Sequence, residues 1–283
     1  MQSLWVVFAA LLFGVMGSGV KFGAEYFSTV ELVFYRSVIG CLFCLCIVGT
    51  RYKILVTSNL RVHFWRSITG FFSLLLFFYA LPRLNLPTVM AMLQTAPLFL
   101  AVLTAVFLRE RISLPLFVTL LVSFIGMLVV LRPGVGTSEL LAGGASIGAG
   151  LMAGCAYFNV RRLGVLNEGG VRTVFYFTAF STVLSVLLIV GYGSFSPLTG
   201  SGIFWLLLIG VSATGGQLAV TRGLQRGHTP VASALLYSSI IFAGMFDYLI
   251  WDAVPDAFSW LGIALISGSG IAALYLNIKR QQA

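Results

Sequence analysis

Long apolar stretches, each about as long as a membrane-spanning helix, dominate this sequence. They lie near residues 4–22, 30–48, 64–81, 87–107, 114–131, 141–160, 173–190, 203–221, 230–250 and 258–276. A helix crosses the hydrocarbon core with about 20 such residues and satisfies its own backbone hydrogen bonds, which lipid cannot do. Only 9% of the 283 side chains are charged, which excludes a water-soluble globular domain. The sequence therefore predicts an all-α integral membrane protein with ten transmembrane helices.

Lysine and arginine are distributed unevenly between the two sides of the predicted membrane. If the N-terminus is cytoplasmic, only Lys21, Arg83 and Arg132 lie in outside connections, and Arg36 lies within a span. The other thirteen of the 17 basic residues lie in inside loops or the tail: Arg51, Lys53, Arg61, Arg66, Arg109, Arg111, Arg161, Arg162, Arg172, Arg222, Arg226, Lys279 and Arg280. Because translocating positive charge is disfavoured, both termini are predicted to be cytoplasmic, in a bacterial inner membrane. The net charge of +9 then serves topology and anionic-lipid contact, not nucleic-acid binding.

The two halves of the chain resemble each other. A shift of 143 residues aligns Leu81, Arg83, Pro87, Ala91, Leu93 and Phe99 with Leu224, Arg226, Pro230, Ala234, Leu236 and Phe242. Each half holds five predicted spans, and an odd number forces the second half to cross the membrane in the opposite direction. We therefore expect two five-helix inverted-topology repeats, over residues 1–135 and 136–283, that together form one membrane domain.

A family resemblance rests on the fourth span and the turn that follows it. This segment runs from Pro87-Thr88-Val89-Met90-Ala91-Met92-Leu93-Gln94-Thr95-Ala96-Pro97-Leu98 into Phe107-Leu108-Arg109-Glu110-Arg111-Ile112-Ser113. With ten spans in two repeats, it resembles the EamA-type carriers of the drug/metabolite transporter superfamily. The second repeat departs from the pattern, because Trp251-Asp252-Ala253-Val254 replaces the basic-acidic turn. The resemblance implies proton-coupled or exchange transport of small organic metabolites and leaves the substrate open.

Arg36 is the main ionisable candidate at membrane depth. A charge near the centre of a span costs about 2.5–3.5 kcal/mol on insertion scales, so it must face protein, water or a partner. One interpretation is that its guanidinium lines the transport cavity and binds a substrate carboxylate or phosphate. The other is that it extends outward or pairs with Glu31 or Glu25 near the outer end of the span.

Uncharged polar residues in the fourth and ninth spans form the second group of candidates. Gln94 and Thr95 align with Tyr237 and Ser238 at the 143-residue shift. Facing each other across the pseudo-twofold axis, they would form a substrate site together with Gln217 of the eighth span. Alternatively, they hold neighbouring helices together.

Three further residues are structural or gate candidates on the fourth span and its turn. Pro97 permits a kink because it leaves a backbone carbonyl without its helical donor. Glu110 and Arg111 are expected to cap and hold two helix ends on the cytoplasmic side, or to form a gate there.

Asp247 and Glu31 are the candidates for proton coupling. A carboxyl group held away from water keeps its proton more readily than an exposed one, as a coupling site requires. Asp247, however, is followed by Asp252 and Asp256, so an exposed acidic rim is the alternative. Glu31, at the start of the second span, is open to the same interpretation.

These features favour a secondary active transporter over other classes of membrane protein. The predicted cargo is a small amphipathic metabolite, such as an amino acid or related carboxylate, moved by alternating access. A multidrug or toxic-metabolite exporter of the same fold is the alternative. A channel is less well supported, because the sequence contains nothing that resembles a selectivity filter. No catalytic motif supports an enzyme, and Cys41 and Cys44 lack the further ligands of a metal site, so neither metal nor cofactor is predicted. The expected partners are the substrate and lipid, for a monomer or homodimer.

Overall fold

The chain is all-helical in a computed structural model that describes residues 4–96, 99, 114–131, 137–193, 195–226 and 235–282. Its helices are α1 (Trp5–Gly23), α2 (Thr29–Val48), α3 (Leu60–Ala80), α4 (Leu86–Leu93), α5 (Leu114–Leu131), α6 (Thr137–Val165), α7 (Gly170–Tyr192), α8 (Gly200–Arg226), α9 (Ser238–Trp251) and α10 (Ala257–Gln282). A single 3-10 turn, Tyr52–Leu55, lies between α2 and α3. Strands are absent from all of these ranges.

Five of the helices are long and apolar enough to cross a membrane: Trp5–Gly23, Thr29–Val48, Thr137–Val165, Gly170–Gly191 and Gly200–Arg226. Shorter apolar helical stretches cover Ser238–Trp251 and Ala257–Ser269. Many large apolar side chains on these helices are exposed, among them Leu42, Val183, Leu187 and Ile241. Lipid is the solvent that such an apolar outer surface requires.

Local sequence explains several helix boundaries. Ser28 caps α2 by accepting a hydrogen bond from the Glu31 backbone N–H, while the Glu31 carboxylate accepts one from the Ser28 N–H. This reciprocal pair satisfies two donors that the first turn of a helix leaves open. Pro87 lies in the first turn of α4, where its missing N–H costs nothing.

The helix bounds correct the sequence prediction in both directions. Helices α6, α8 and α10 extend beyond the predicted spans 141–160, 203–221 and 258–276. The predicted spans 87–107 and 230–250, in contrast, are interrupted: α4 ends at Leu93, and α9 begins only at Ser238. The hydropathy of the sequence does not show these interruptions, since the residues on both sides are equally apolar.

Helices from the two halves of the chain pack against each other in matching pairs. Helix α1 packs on α8 and, correspondingly, α3 packs on α6. Likewise α2 contacts α7, α4 contacts α9, and α5 contacts α10. One apolar core runs through these contacts and includes Met16, Phe71, Phe78, Met90 and Ile209. The packing surrounds a cavity between the halves.

Candidate substrate cavity

The cavity lies where eight of the helices and the interrupted segments meet. Its apolar wall includes Phe13, Met16, Leu74, Phe77 and Phe177. Its polar lining consists of Arg36, Arg66, Ser73, Gln94, Tyr157, Gln217 and Ser239. An apolar enclosure with a few polar groups suits a small amphipathic ligand.

Arg36 lies in this cavity and does not extend outward from α2. Its side chain is buried, with 3% exposure, and its guanidinium carbon lies 5.2 Å from the centre of the Phe177 ring. The proposed pairing with Glu31 is wrong, because that carboxylate binds Ser28 and Ser196 instead. Pairing with Glu25 is also excluded, since Glu25 is exposed at the end of α1. The guanidinium therefore remains available to a ligand.

Arg66 is the functional candidate that the sequence analysis missed. It was assigned to an inside loop, but it lies in the second turn of α3 and is buried, with 2% exposure. Its guanidinium carbon lies 3.8 Å from the centre of the Phe177 ring, within cation–π distance. The signal in the sequence was its position at the start of an apolar stretch, Ser67 to Leu81, five residues after the exposed Arg61. Hydropathy alone does not reveal which face of a helix an arginine occupies.

Gln94 joins the two interrupted segments. It lies in the turn after α4, and its Nε2 donates hydrogen bonds to the Leu236 carbonyl and to Ser239 Oγ, each at 2.7 Å. Leu236 and Tyr237 form the turn that precedes α9. The two turns thus lie at the places that the 143-residue shift makes equivalent, and a side-chain amide from one donates to a carbonyl of the other, which also accepts from the Ser239 backbone N–H. Interrupted helices that line a cavity are a recurring feature of transporter binding sites.

The other predicted polar residues take different positions. Gln217 of α8 lines the cavity. Thr95 donates to the Met92 carbonyl, and Ser238 to the Leu235 carbonyl, so both hydroxyls bond within their own turns. Tyr237 is buried, and its hydroxyl has no hydrogen-bond partner within the described residues. Ser239, one residue beyond the predicted pair, is the hydroxyl that reaches the cavity.

Pro97, Glu110 and Arg111 lie outside the residues that the structure describes. Their predicted kink, capping and gating roles stay predictions.

Asp247 is buried, so the exposed acidic rim is the wrong interpretation for this residue. Its Oδ1 lies 2.7 Å from Lys21 Nζ, and its Oδ2 accepts a hydrogen bond of 3.1 Å from the Leu86 backbone N–H. The carboxylate therefore links α1 and α9 to the first turn of α4, where the helix dipole favours negative charge. Lys21 also lies over the Trp251 ring, 4.1 Å from its centre. We call these residues, Lys21, Asp247, Leu86 and Trp251, the Asp247 cluster.

Glu31 is buried too, and it holds a connection in place. Besides capping α2, its carboxylate accepts hydrogen bonds from the Ser196 backbone N–H and hydroxyl. Ser196 lies between α7 and α8, so this carboxylate fixes that connection to the start of α2. Glu31 is not part of the cavity lining.

A second polar cluster lies at the opposite end of the helices, around Glu168. This residue, between α6 and α7, accepts hydrogen bonds from Thr57 Oγ1, Asn59 Nδ2 and Arg172 Nη1. Arg172 in turn donates to the Ile54 carbonyl, which anchors the 3-10 turn. Burial favours the neutral acid, but these donors outweigh it and lower the pKa of Glu168 to about 2. We call these residues the Glu168 cluster.

Replacing Glu168 by Gln is expected to lower the free energy of unfolding in detergent by about 2 kcal/mol, the contribution of hydrogen bonds to a charged group. The pKa of Glu168 is lower in the folded protein than in the unfolded chain, where it is near 4.5. The ionised carboxylate therefore stabilises the fold fully above pH 4.5, and this stabilisation is lost as the pH falls towards 2. The difference between wild type and Glu168→Gln should therefore shrink below about pH 4.5. Thermal unfolding at several pH values measures it, with the exposed Glu25→Gln as control. A constant difference down to pH 3 would contradict the assignment.

Together, the apolar outer surface, the interrupted helices and the enclosed polar cavity define a membrane transporter. Comparison with known proteins agrees. The model of the EamA-like transporter family matches residues 1–132 and 140–275. The chain belongs to this family.

Relatives are found in bacteria and in animals. An "Uncharacterized transporter" of Helicobacter pylori is 29% identical, over 94% of this chain and 92% of its own length. The "Pseudopaline exporter CntI" of Pseudomonas aeruginosa is 28% identical, over 95% and 94%. "Solute carrier family 35 member G1" of Mus musculus is 25% identical, over 89% and 72%. These relatives are transporters and not enzymes.

A solved crystal structure shares the fold. It superposes with a TM-score of 0.71 at 18% sequence identity, and the match covers 97% of this chain and 98% of the other.

Proposed function

We propose that this protein is a secondary active transporter that carries a small amphipathic organic metabolite, an amino acid or related carboxylate, across the bacterial inner membrane. The observation that carries the proposal is the buried Arg36 guanidinium in a cavity between the two halves of the chain. A guanidinium offers a planar fork of donors that matches a carboxylate. The apolar wall of the cavity would hold the carbon skeleton.

The architecture proposed with this function is a pair of inverted five-helix repeats, residues 1–135 and 136–283, with both termini cytoplasmic. The packing supports it: α1 on α8 mirrors α3 on α6, while α2, α4 and α5 each contact the helix five places later. A twofold axis in the membrane plane relates pairs in this way. The interruptions at Gln94 and Leu236 add a second correspondence between the halves.

Alternating access requires that the cavity be closed at one end or the other, and two clusters supply candidate closures. The Asp247 cluster joins α1, α4 and α9 at the proposed outer end. The Glu168 cluster joins the α2–α3 connection to the start of α7 at the proposed cytoplasmic end. Of the proposed coupling residues, Asp247 is the better candidate, because protonation would release both Lys21 and the Leu86 N–H. Glu31 lies outside the cavity and holds a loop.

The substrate role of Arg36 is tested by counterflow in proteoliposomes. Vesicles preloaded with unlabelled amino acids, organic acids, vitamins or nucleosides are assayed for uptake of the same labelled compound. Wild type is expected to accumulate a labelled carboxylate transiently, which a channel cannot do. Arg36→Gln is expected to reduce this uptake about tenfold or more. Arg51→Gln, an exposed arginine beyond the end of α2, is the matched control.

Three outcomes would contradict this proposal. Downhill flux without counterflow would indicate a channel. Equal uptake of an anionic substrate by wild type and Arg36→Gln would show that Arg36 does not bind it. Transport of bulky cationic drugs in preference to carboxylates would favour the multidrug exporter.

A further inference from the structure

The cavity holds two buried guanidinium groups. Arg36 comes from α2 and Arg66 from α3, and both lie against the same Phe177 ring. The guanidinium carbons of Arg36 and Arg66 lie 5.2 Å and 3.8 Å from the centre of this ring, so the two groups share the same part of the cavity. Nε and Nη1 of each arginine have no hydrogen-bond partner within the described part of the chain. Buried donors are normally satisfied, so these four atoms call for an acceptor.

No described carboxylate supplies this acceptor. The chain has eight acidic residues, and Glu110 alone falls outside the described ranges. Of the other seven, Glu31, Glu168 and Asp247 bind the partners given above, and four are exposed: Glu25, Glu139, Asp252 and Asp256. The described cavity lining contains no acidic residue. Two like charges in one enclosed site without a counter-charge are strongly unfavourable, so a ligand with negative charge is the partner that this lining suits.

Gly70 leaves space for the Arg66 guanidinium against the Phe177 ring. Gly70 lies one turn further along α3, and a Cβ atom there would collide with Arg66 Nη1 and would come within 2.9 Å of the Phe177 ring. The absence of a side chain at this position lets the Arg66 side chain lie along the helix and place its guanidinium on the ring. A surface arginine that merely fixes topology needs no such space.

We propose that Arg36 and Arg66 bind a substrate that carries at least two carboxylate groups, one for each guanidinium. This inference rests on the proposed transport function and names its substrate class. Each guanidinium pairs with one carboxylate, and the Phe177 ring lies beside the short carbon chain between them. Gln94 Oε1, which accepts no hydrogen bond within the described residues, is available to a hydroxyl or amine on the substrate.

Binding to the purified full-length protein in detergent tests this inference. The probes are succinate, glutarate and citrate, with butyrate and succinamide as the singly charged and neutral comparisons at constant ionic strength. Wild type is expected to show a thermal shift with the di- and tricarboxylates and a much smaller one with butyrate. Arg66→Gln is expected to weaken dicarboxylate binding by about tenfold to a hundredfold, the loss of one charge-assisted pair, and to weaken butyrate binding much less.

Two further variants separate binding from folding. Arg66→Lys keeps the charge without the fork and should retain part of the dicarboxylate preference. Arg61→Gln, the exposed arginine of the same helix, should bind like wild type. Without ligand, Arg66→Gln should unfold at a higher temperature than wild type, since it removes an uncompensated buried charge. A structural role for Arg66 predicts the opposite shift.

The outcomes distinguish this inference from the proposed function. Equal binding of butyrate and succinate by wild type, or an unchanged dicarboxylate preference in Arg66→Gln, overturns the dicarboxylate assignment. Counterflow of a dicarboxylate that is insensitive to Arg66→Gln overturns it as well, while transport stands. Dicarboxylate binding that requires both arginines, without counterflow, supports the site and rejects the transport function.

Discussion

Asp247→Asn is expected to destabilise the protein and to abolish transport. The substitution removes the counter-charge of Lys21, whose Nζ lies 2.7 Å from Asp247 Oδ1. The aspartate side chain is fully buried, and 17% of the lysine side chain is exposed. Breaking a buried ion pair costs about 3–5 kcal/mol, and the partial hydration of Lys21 places the expected loss near the lower end, about 3 kcal/mol. The amide oxygen introduced by Asp247→Asn also accepts the hydrogen bond from the Leu86 N–H of α4 less strongly than the carboxylate does.

Thermal unfolding in detergent and counterflow measure the two effects. Asp252→Asn is the matched control. It makes the same chemical change at an exposed aspartate at the end of the same helix. Lys21→Met combined with Asp247→Asn should recover most of the stability, since neither charge is then left alone. Equal stability of the single and double variants would show that the pair is not coupled.

Proton coupling is read from the same variants. With a pH gradient across the vesicle membrane, the double variant is expected to exchange substrate but not to accumulate it, because neither the proton-accepting carboxylate nor its lysine partner remains. If Asp247→Asn retains full proton-driven accumulation, Asp247 is not the coupling site. The stability measurement then still reports on the ion pair.

The sequence predicted the fold class well, because the controlling physics is local. A run of about 20 apolar residues specifies a membrane helix whatever surrounds it, and each predicted span contains an α-helix in its described part. Helix interruptions do not follow from such runs. The turn at Gln94 depends on a donor reaching Leu236, 142 residues away, and a hydropathy window contains no such information.

The candidate site was predictable in part for a related reason. Arg36 was found because it lies far inside a span, where a charge is costly anywhere. Arg66 was missed because a charge near a helix end is expected on topological grounds alone. Only the packing of α3 against α6 and α7 shows that its face of the helix turns inward. Asp247 was identified as a candidate, but its partner Lys21 is 226 residues away and could not be assigned from the sequence.

Gln94→Leu is expected to reduce transport by about a hundredfold while the protein still folds. Leucine fills similar space but removes the donor to the Ser239 hydroxyl and one of the two donors to the Leu236 carbonyl, which keeps only the Ser239 backbone N–H. The two lost hydrogen bonds together cost about 1–3 kcal/mol, and their loss favours a displacement of the turn before α9. Since that turn forms part of the cavity wall, its displacement changes the binding site itself.

The control for Gln94→Leu is Asn159→Leu, which removes a half-buried amide instead of the buried one at Gln94. Asn159 Nδ2 donates to the Cys155 carbonyl one turn earlier in α6, so its loss affects only its own helix. Substrate binding and counterflow are measured for both variants, with thermal unfolding as the check on folding.

Gln94→Glu separates the two functions of the amide: it keeps the oxygen but replaces the two donors. Because a carboxylate in the same cavity as the two guanidinium groups competes with an anionic ligand, Gln94→Glu should bind anions more weakly than Gln94→Leu. If Gln94→Leu transports as well as Asn159→Leu, the joined helix interruptions are not part of the transport site.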